Sequence, residues 1–195
     1  MYSKIQYSLG GIPKYVTAIG LLLSLLLAPR LAYAQSTYDF TKQCFAVSDE
    51  QSNGGGTQID TFVRLDRTNG QSFPIGLTGT TGIEAITFGP NGVLYAADKG
   101  QLGTIDIATG LFTALPQPLG AAIRGSTRVN LNDADGLAYD MQRGLLFGAQ
   151  RRSNVADVLF AIDPTTGAHI PDFFGPGLSY VEVPIIFDEM NNALN

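Results

Sequence analysis

The chain has one cysteine and one histidine in 195 residues. A single thiol, Cys44, cannot form a disulfide within the chain, and in the stretch "CFAV" it reads as a small buried residue. With His169 as the sole imidazole, neither a zinc site of several histidines nor a histidine relay can be assembled. Charge is also scarce: Asp, Glu, Lys and Arg make up 15% of the residues, and the acids outnumber the bases to leave a net charge of −5. An acidic chain without a basic patch disfavours nucleic acid and anionic membranes as partners. Arg151-Arg152 is an isolated pair of the kind expected in a solvated loop. No segment sustains a capped helical period, and there is no G-x-S-x-G elbow for a serine nucleophile. The run Gly54-Gly55-Gly56 lacks the following helix and the Lys-Ser/Thr of a phosphate-cradling loop, and reads as a flexible hairpin connection.

The N-terminus reads as an export signal. Lys4 and Lys14 precede the apolar run 16–28, Pro29 follows it, and Ala32-Tyr33-Ala34 has small residues where a signal peptidase needs them. At about 1.5 Å per residue this run is too short to cross a hydrocarbon core of about 30 Å. Gln35 rather than Cys follows the cut, which argues against a lipid anchor. Residues 1–34 are therefore expected to be a signal peptide and 35–195 the mature domain, secreted or periplasmic, with no membrane insertion once the signal is gone. The signal carries Lys4, Lys14 and Arg30 and no acids, so the mature chain is more acidic still.

Abundant apolar residues and regularly placed glycines point to a folded domain organised as a repeat. "EAITFGPNGVLYAAD" (84–98) aligns with "DGLAYDMQRGLLFGAQ" (135–150), setting Glu84 on Asp135, Ile86 on Leu137, Phe88 on Tyr139, Gly92 on Gly144 and Tyr95 on Phe147. "PIIFDEMNNAL" (184–194) opens a third copy, with Phe187 at the aromatic position and Asn192 at that of Gly144. The period, about fifty residues, is that of propeller-like arrays. A second signature recurs as "RLDRTNG" (64–70), "TIDIATG" (104–110) and "AIDPTTG" (161–167). Each predicts a hairpin turn in which the Asp carboxylate accepts backbone amides ahead of it and Gly takes a positive φ. That chemistry accounts for Asp66, Asp106 and Asp163 without invoking a metal.

The best unit divides into four short runs, "IEAITFG", "GVLYAAD", "LGTIDI" and "LFTAL", with connections too short for anything but antiparallel neighbours. Several runs are apolar on both faces, as in sheets stacked on sheets. The expected fold class is all-β: a β-propeller-like array of four-stranded antiparallel blades. Units are expected at about 38–78, 83–120, 128–175 and 178–195, the middle two complete and the outer two partial, with the stop at Asn195 suggesting a truncated chain or gene fragment. End blades left open in this way would favour self-association.

The stretch "DADGLAYDMQRGLLFGAQ…LFAIDPTTG" resembles the blades of secreted bacterial propellers in the broad NHL, kelch-like and gluconolactonase-like superfamily. The gluconolactonase-like enzymes hold a divalent ion with acidic and amide ligands at one mouth of the central channel, where it polarises a lactone carbonyl and activates water. The resemblance implies the fold more strongly than the activity, because propellers host many functions. The acid-rich stretch "NLNDADG" (130–136) bears on this choice. Setting Gly136 at position 6 of an EF-hand loop places Leu131 and Gln142 where ligands are required, so it is not an EF-hand. Asn132, Asp133 and Asp135, with Glu84 at the equivalent place in the preceding unit, are the candidate metal ligands, with calcium the candidate ion. The alternative is that these carboxylates cap turns where blades begin. Glu182 would match them only if its strand bulged by one residue.

Two functions are consistent with this. One is a secreted binding module for a protein or glycan surface, without chemistry or cofactor of its own. The other is a metal-dependent hydrolase or lactonase with acids at the channel mouth. The single histidine, the missing elbow and the incomplete set of units favour the first. Mass spectrometry of exported protein is expected to find Gln35 at the N-terminus; retention of Met1 or Lys4 would refute the export reading.

Overall fold

The computed structural model describes residues 43–48 and 58–183, all within one unit, Ser36–Asn195. The segment 1–34 read as a signal, the triple glycine, Phe187 and Asn192 lie outside the described residues. The regular structure of the described residues is antiparallel β, apart from one short 3-10 turn at Pro90–Gly92. The first sheet has the order β1 (Cys44–Ser48), β2 (Thr61–Leu65), β3 (Ser72–Leu77). The second is a meander of β4 (Ile83–Phe88), β5 (Leu94–Asp98), β6 (Gln101–Ile105) and β7 (Phe112–Ala114). A separate hairpin, β8 (Ala121–Arg124) and β9 (Thr127–Asn130), precedes the third sheet. That sheet is a second four-stranded meander of β10 (Gly136–Asp140), β11 (Leu145–Gln150), β12 (Asp157–Ile162) and β13 (Tyr180–Val183).

The reason the sheets stack is visible in β5. Side chains alternate faces along a strand, so a run such as "LYAA" is apolar on both faces. Leu94 and Ala96 pack with Phe62, Ile83, Ile105 and, on the first sheet, Phe45, Val47 and Ile75. Tyr95 and Ala97, on the opposite face, pack with Leu102 and with Leu146, Val158, Phe160 and Tyr180 of the third sheet. The second sheet is thus covered on both sides. Residues such as Leu94, Leu102 and Phe160 are fully buried, each worth about 1.5–3 kcal/mol of transfer from water. The Tyr180 hydroxyl, buried with its ring, has no hydrogen-bond partner among the described residues. Burying it so costs about 1–3 kcal/mol, which the buried ring offsets.

The three aspartate turns form as their sequences predict. Asp66 accepts the Thr68 amide at 2.8 Å, Asp106 the Ala108 amide at 2.8 Å, and Asp163 the Thr165 amide at 2.8 Å. Gly70, Gly110 and Gly167 have φ of 74°, 82° and 89°. The Thr68 and Thr165 hydroxyls and amides hold the Asp66 and Asp163 carboxyls below their ordinary range. A fourth turn of the same build, missed in the repeat comparison, joins β10 to β11. There Asp140 accepts the Gln142 and Arg143 amides, and Gly144 has φ 69°. Two of these turns also wedge between sheets. A Cβ on Gly76 of β3 would stand 2.0 Å from the Thr109 carbonyl oxygen, and the Gln117 amide donates to the Thr166 carbonyl at 2.9 Å.

Four expectations need correction. Cys44 is exposed, because Phe45 and Val47 turn toward the second sheet and the alternation sends Cys44 to the opposite face. The unit drawn to end at 175 takes its fourth strand from Tyr180–Val183, which pairs with β12, so those residues do not begin a new unit. Glu182 therefore lies on an outer strand, ion-paired to Arg124 and Arg152, and is not equivalent to Glu84. Finally, the hairpin at 121–130 was not expected; it occupies the gap left between the units 83–120 and 128–175 and takes in the first residues of the latter. Its signal was present in "RGST", where Gly125 takes φ 60° at a two-residue turn.

Gly167→Ala is expected to destabilise the chain by more than about 1 kcal/mol, since φ is left-handed. The new Cβ would also meet the Gln117 carbonyl oxygen at 2.7 Å and the Leu115 Cβ at 2.9 Å. A urea midpoint equal to wild type would refute this account of the turn.

Candidate functional site

The starts of β4 and β10, the first strands of the second and third sheets, lie side by side. The turn between β5 and β6 ties the following segments to the second sheet: the Leu119 amide donates to the Gly100 carbonyl at 2.9 Å, and the Ala134 amide, just before β10, to the Lys99 carbonyl at 3.1 Å. A register shift between Ile83 and Ala85 leaves Glu84 without a partner on β5. A bulge of this kind re-aims a side chain where a strand begins. Here Glu84 comes to face Asp133 and Asp135.

Each partner is held by its own sheet. Asp135 accepts the Arg151 backbone amide at 2.6 Å and the Arg151 Nε at 2.8 Å, and its side chain is largely buried. Gln150, at the end of β11 and buried, organises the loop before it. Its Oε1 accepts the amides of Asn132 and Asp133 at 3.0 and 3.2 Å, and its Nε2 donates to the Asn130 carbonyl at 3.1 Å. Asn132 and Asp133 are exposed, with their backbone tied down and their side chains at the surface. In the second sheet Asp98 holds the position of Gln150, and accepts a hydrogen bond from the Thr80 hydroxyl.

Three acids close together disturb one another. Loss of water around the Glu84 carboxyl raises its pKa first, the negative charges of Asp133 and Asp135 raise it further, and Arg151 only partly offsets them. Asp135 also accepts a hydrogen bond that Glu84 can donate only while protonated. Glu84 as a whole residue is exposed, but its carboxyl is the crowded part. Such an arrangement can attract a cationic group or hold a proton on Glu84 above its ordinary range.

Of the four candidate residues, the structure brings Glu84, Asp133 and Asp135 into mutual electrostatic range, with Asn132 beside them through Gln150. Among the described residues no three Asp, Glu, His or Cys side chains are arranged to hold one ion. The sequence reading missed Gln150 and Arg151. Arg151 is not simply a solvated partner of Arg152, for it binds Asp135, while Arg152 donates to the Ala156 carbonyl at 2.7 Å. The available signal was position: Gln150 ends, and Arg151 follows, the strand that aligns with "LYAAD". His169 is a link between elements; its Nδ1 donates to the Leu119 carbonyl at 2.6 Å.

No protein-family model matches the chain, and no curated protein matches it. Among solved structures, that of a candidate 6-phosphogluconolactonase from Bacteroides fragilis is similar at 14% identity and a TM-score of 0.44. The match covers 80% of this chain and 40% of that one, so the chain spans less than half the length of that protein.

Glu84 titrates above its ordinary 4.5 in the folded chain, so folded molecules keep a proton that unfolded ones release. Stability is then lost as pH rises from about 4.5 through the raised value. Glu84→Gln is expected to melt above wild type at neutral pH, with the margin closing below pH 4.5. Parallel melting curves for the two proteins from pH 4 to 8 would contradict the crowding of these carboxyls.

Proposed function

We propose that the chain is an arc of propeller blades from a secreted protein that works as a binding module, without catalysis, through the edge bearing Glu84, Asp133 and Asp135. The observation that carries this reading is the side-by-side placement of β4 and β10, which gathers three acids at one edge of consecutive sheets. Its support is threefold. Sheets stack in chain order with aspartate turns at corresponding places, as blades do. The acids sit on firm backbone, fixed by Gln150 and Arg151, so their charge is preorganised. And the one histidine is committed to a structural hydrogen bond with the Leu119 carbonyl, so no imidazole serves the cluster. A net-acidic chain with an acidic edge is complementary to a basic protein surface.

One observation favours the second reading, a calcium-assisted lactonase: repulsion among the three carboxyls is what a divalent cation would relieve. Six or more oxygens at about 2.3–2.6 Å would be needed, and these side chains do not converge to that degree.

The chain is expected to bind an immobilised lysine-rich peptide with an affinity that falls with salt, and about tenfold more weakly (about 1.4 kcal/mol) after Asp133→Asn with Asp135→Asn. Calcium is expected to leave the melting temperature unchanged. Peptide binding unaffected by the double substitution would end the binding-edge proposal. A calcium-dependent rise in melting temperature, with lactone hydrolysis lost in the same double variant, would put the lactonase in its place.

A further inference from the structure

Each sheet of the stack carries an aromatic ring at the same place. Phe45, Tyr95 and Phe147 stand opposite Arg64, Thr104 and Ala161, each two residues before the aspartate of an equivalent turn. Each of these rings receives another. Phe45, which also stacks on Phe62 of its own sheet, meets Phe88 of β4 at 6.1 Å between centroids. Tyr95 meets Tyr139 of β10 at 5.7 Å. In both cases the incoming ring belongs to the first strand of the next sheet. Phe147 meets Phe173 at 5.6 Å, edge to face, and Phe173 comes from the connection between β12 and β13 of the same sheet.

The segment that carries Phe173 is an insertion in an outer strand. In the second sheet the Asp106 turn leads directly into β7, where Phe112 pairs with Ile105. After the Asp163 turn, His169 takes the matching place opposite Ile162, and the Ile170 amide donates to the Ala161 carbonyl at 2.8 Å. Pairing then breaks off and resumes with Tyr180 opposite Phe160, the neighbouring residue of β12. Residues 171–179 thus leave and rejoin the strand at adjacent positions, and their removal would join Ile170 to Tyr180 in register. Such a loop is held by its own groups. Asp172, at φ 53°, accepts the Gly175 amide on its carbonyl at 3.0 Å and the Gly177 amide on its Oδ1 at 3.1 Å. The β8–β9 hairpin anchors it: the Gly125 amide donates to the Gly177 carbonyl at 2.9 Å, and the Ile123 carbonyl accepts the Ser179 amide at 2.8 Å.

We propose that the loop 171–179 is an intramolecular cap on the outward face of the third sheet, which bars that face from stacking on another copy of the chain. Phe173 takes the seat that an aromatic of the next sheet takes on the first two. Beneath and beside it Phe147, Ala149 and Leu159 are half-buried and Ala161 is buried. Their equivalents Tyr95, Ala97 and Leu102 are buried where the third sheet covers the second. A ring on a fixed loop interrupts the flat apolar surface on which uncapped repeats associate.

Excision of 171–179 opens the face while leaving the outer strand continuous. The excised chain is expected to enhance the fluorescence of anilinonaphthalene sulfonate several-fold over wild type, and to gain mass in light scattering. Leu159→Arg in the excised chain is expected to return both to the wild-type level. Phe173→Ser is expected to act in the same direction with the loop in place, whereas Leu178→Ser, at an exposed site on the same loop, is not. A folded excision variant with wild-type mass and dye binding overturns the cap, as does a gain that survives Leu159→Arg. Loss of the sheet signal in circular dichroism on both excision and Phe173→Ser overturns it too, since the loop would then be part of the core and not its cover.

Discussion

Two-sided burial of the second sheet is the constraint on which the rest of the structure depends. Leu94 and Ala96 on one face of β5, and Tyr95 and Ala97 on the other, leave no face for water. Such a sheet is unstable alone and must be covered twice, so the first and third sheets are obliged to stack on it. Glycines make room within each sheet. Gly103 lies under the Phe112 ring of the adjacent strand and Gly148 under Phe160 of its own, positions where a Cβ would come within about 2.3 and 2.6 Å of ring carbons. The rings lie across these strands because the places are empty of side chain.

The turns serve that stacking as much as they serve their own hairpins. Each aspartate closes its loop locally, which is why the signature could recur without reference to tertiary structure. The same loops then fill the gap between sheets, with Thr109 beside Gly76 and Gly167 beside Leu115 and Gln117. Backbone links across the seam, Phe112 to the Thr78 carbonyl and Ser179 to the Ile123 carbonyl, satisfy groups that would otherwise be left unpaired.

The acidic edge follows from the same geometry. First strands of consecutive sheets run side by side, so equivalent residues at their starts become neighbours. Glu84 and Asp135 are equivalent in sequence and adjacent in space for this single reason. The bulge at Ile83 and Ala85 adds the final adjustment, turning Glu84 toward its neighbours at the cost of water around its carboxyl. An edge of this sort is electrostatically tense, and its fixed backbone keeps it so.

Most strands, the strand order of the second sheet and the aspartate turns were legible in the sequence, because all of them depend on neighbours a few residues away. Alternation, Gly at positive φ and Asp accepting nearby amides are local matters, and β4 to β7 lie where their runs placed them. The pairing of Glu84 with Asp135 was half legible, as an equivalence without a distance. Three things required the tertiary structure. Cys44 is exposed because the neighbouring sheet claims the opposite face of β1. Tyr180–Val183 joins the third sheet because β12 has a free edge to fill, whatever sequence likeness the following residues carry. Gln150 became a support of the acidic loop because a strand end and a loop eighteen residues earlier were folded together. Each of these is decided by which surface arrives from elsewhere in the chain, and that information is not contained in any local pattern.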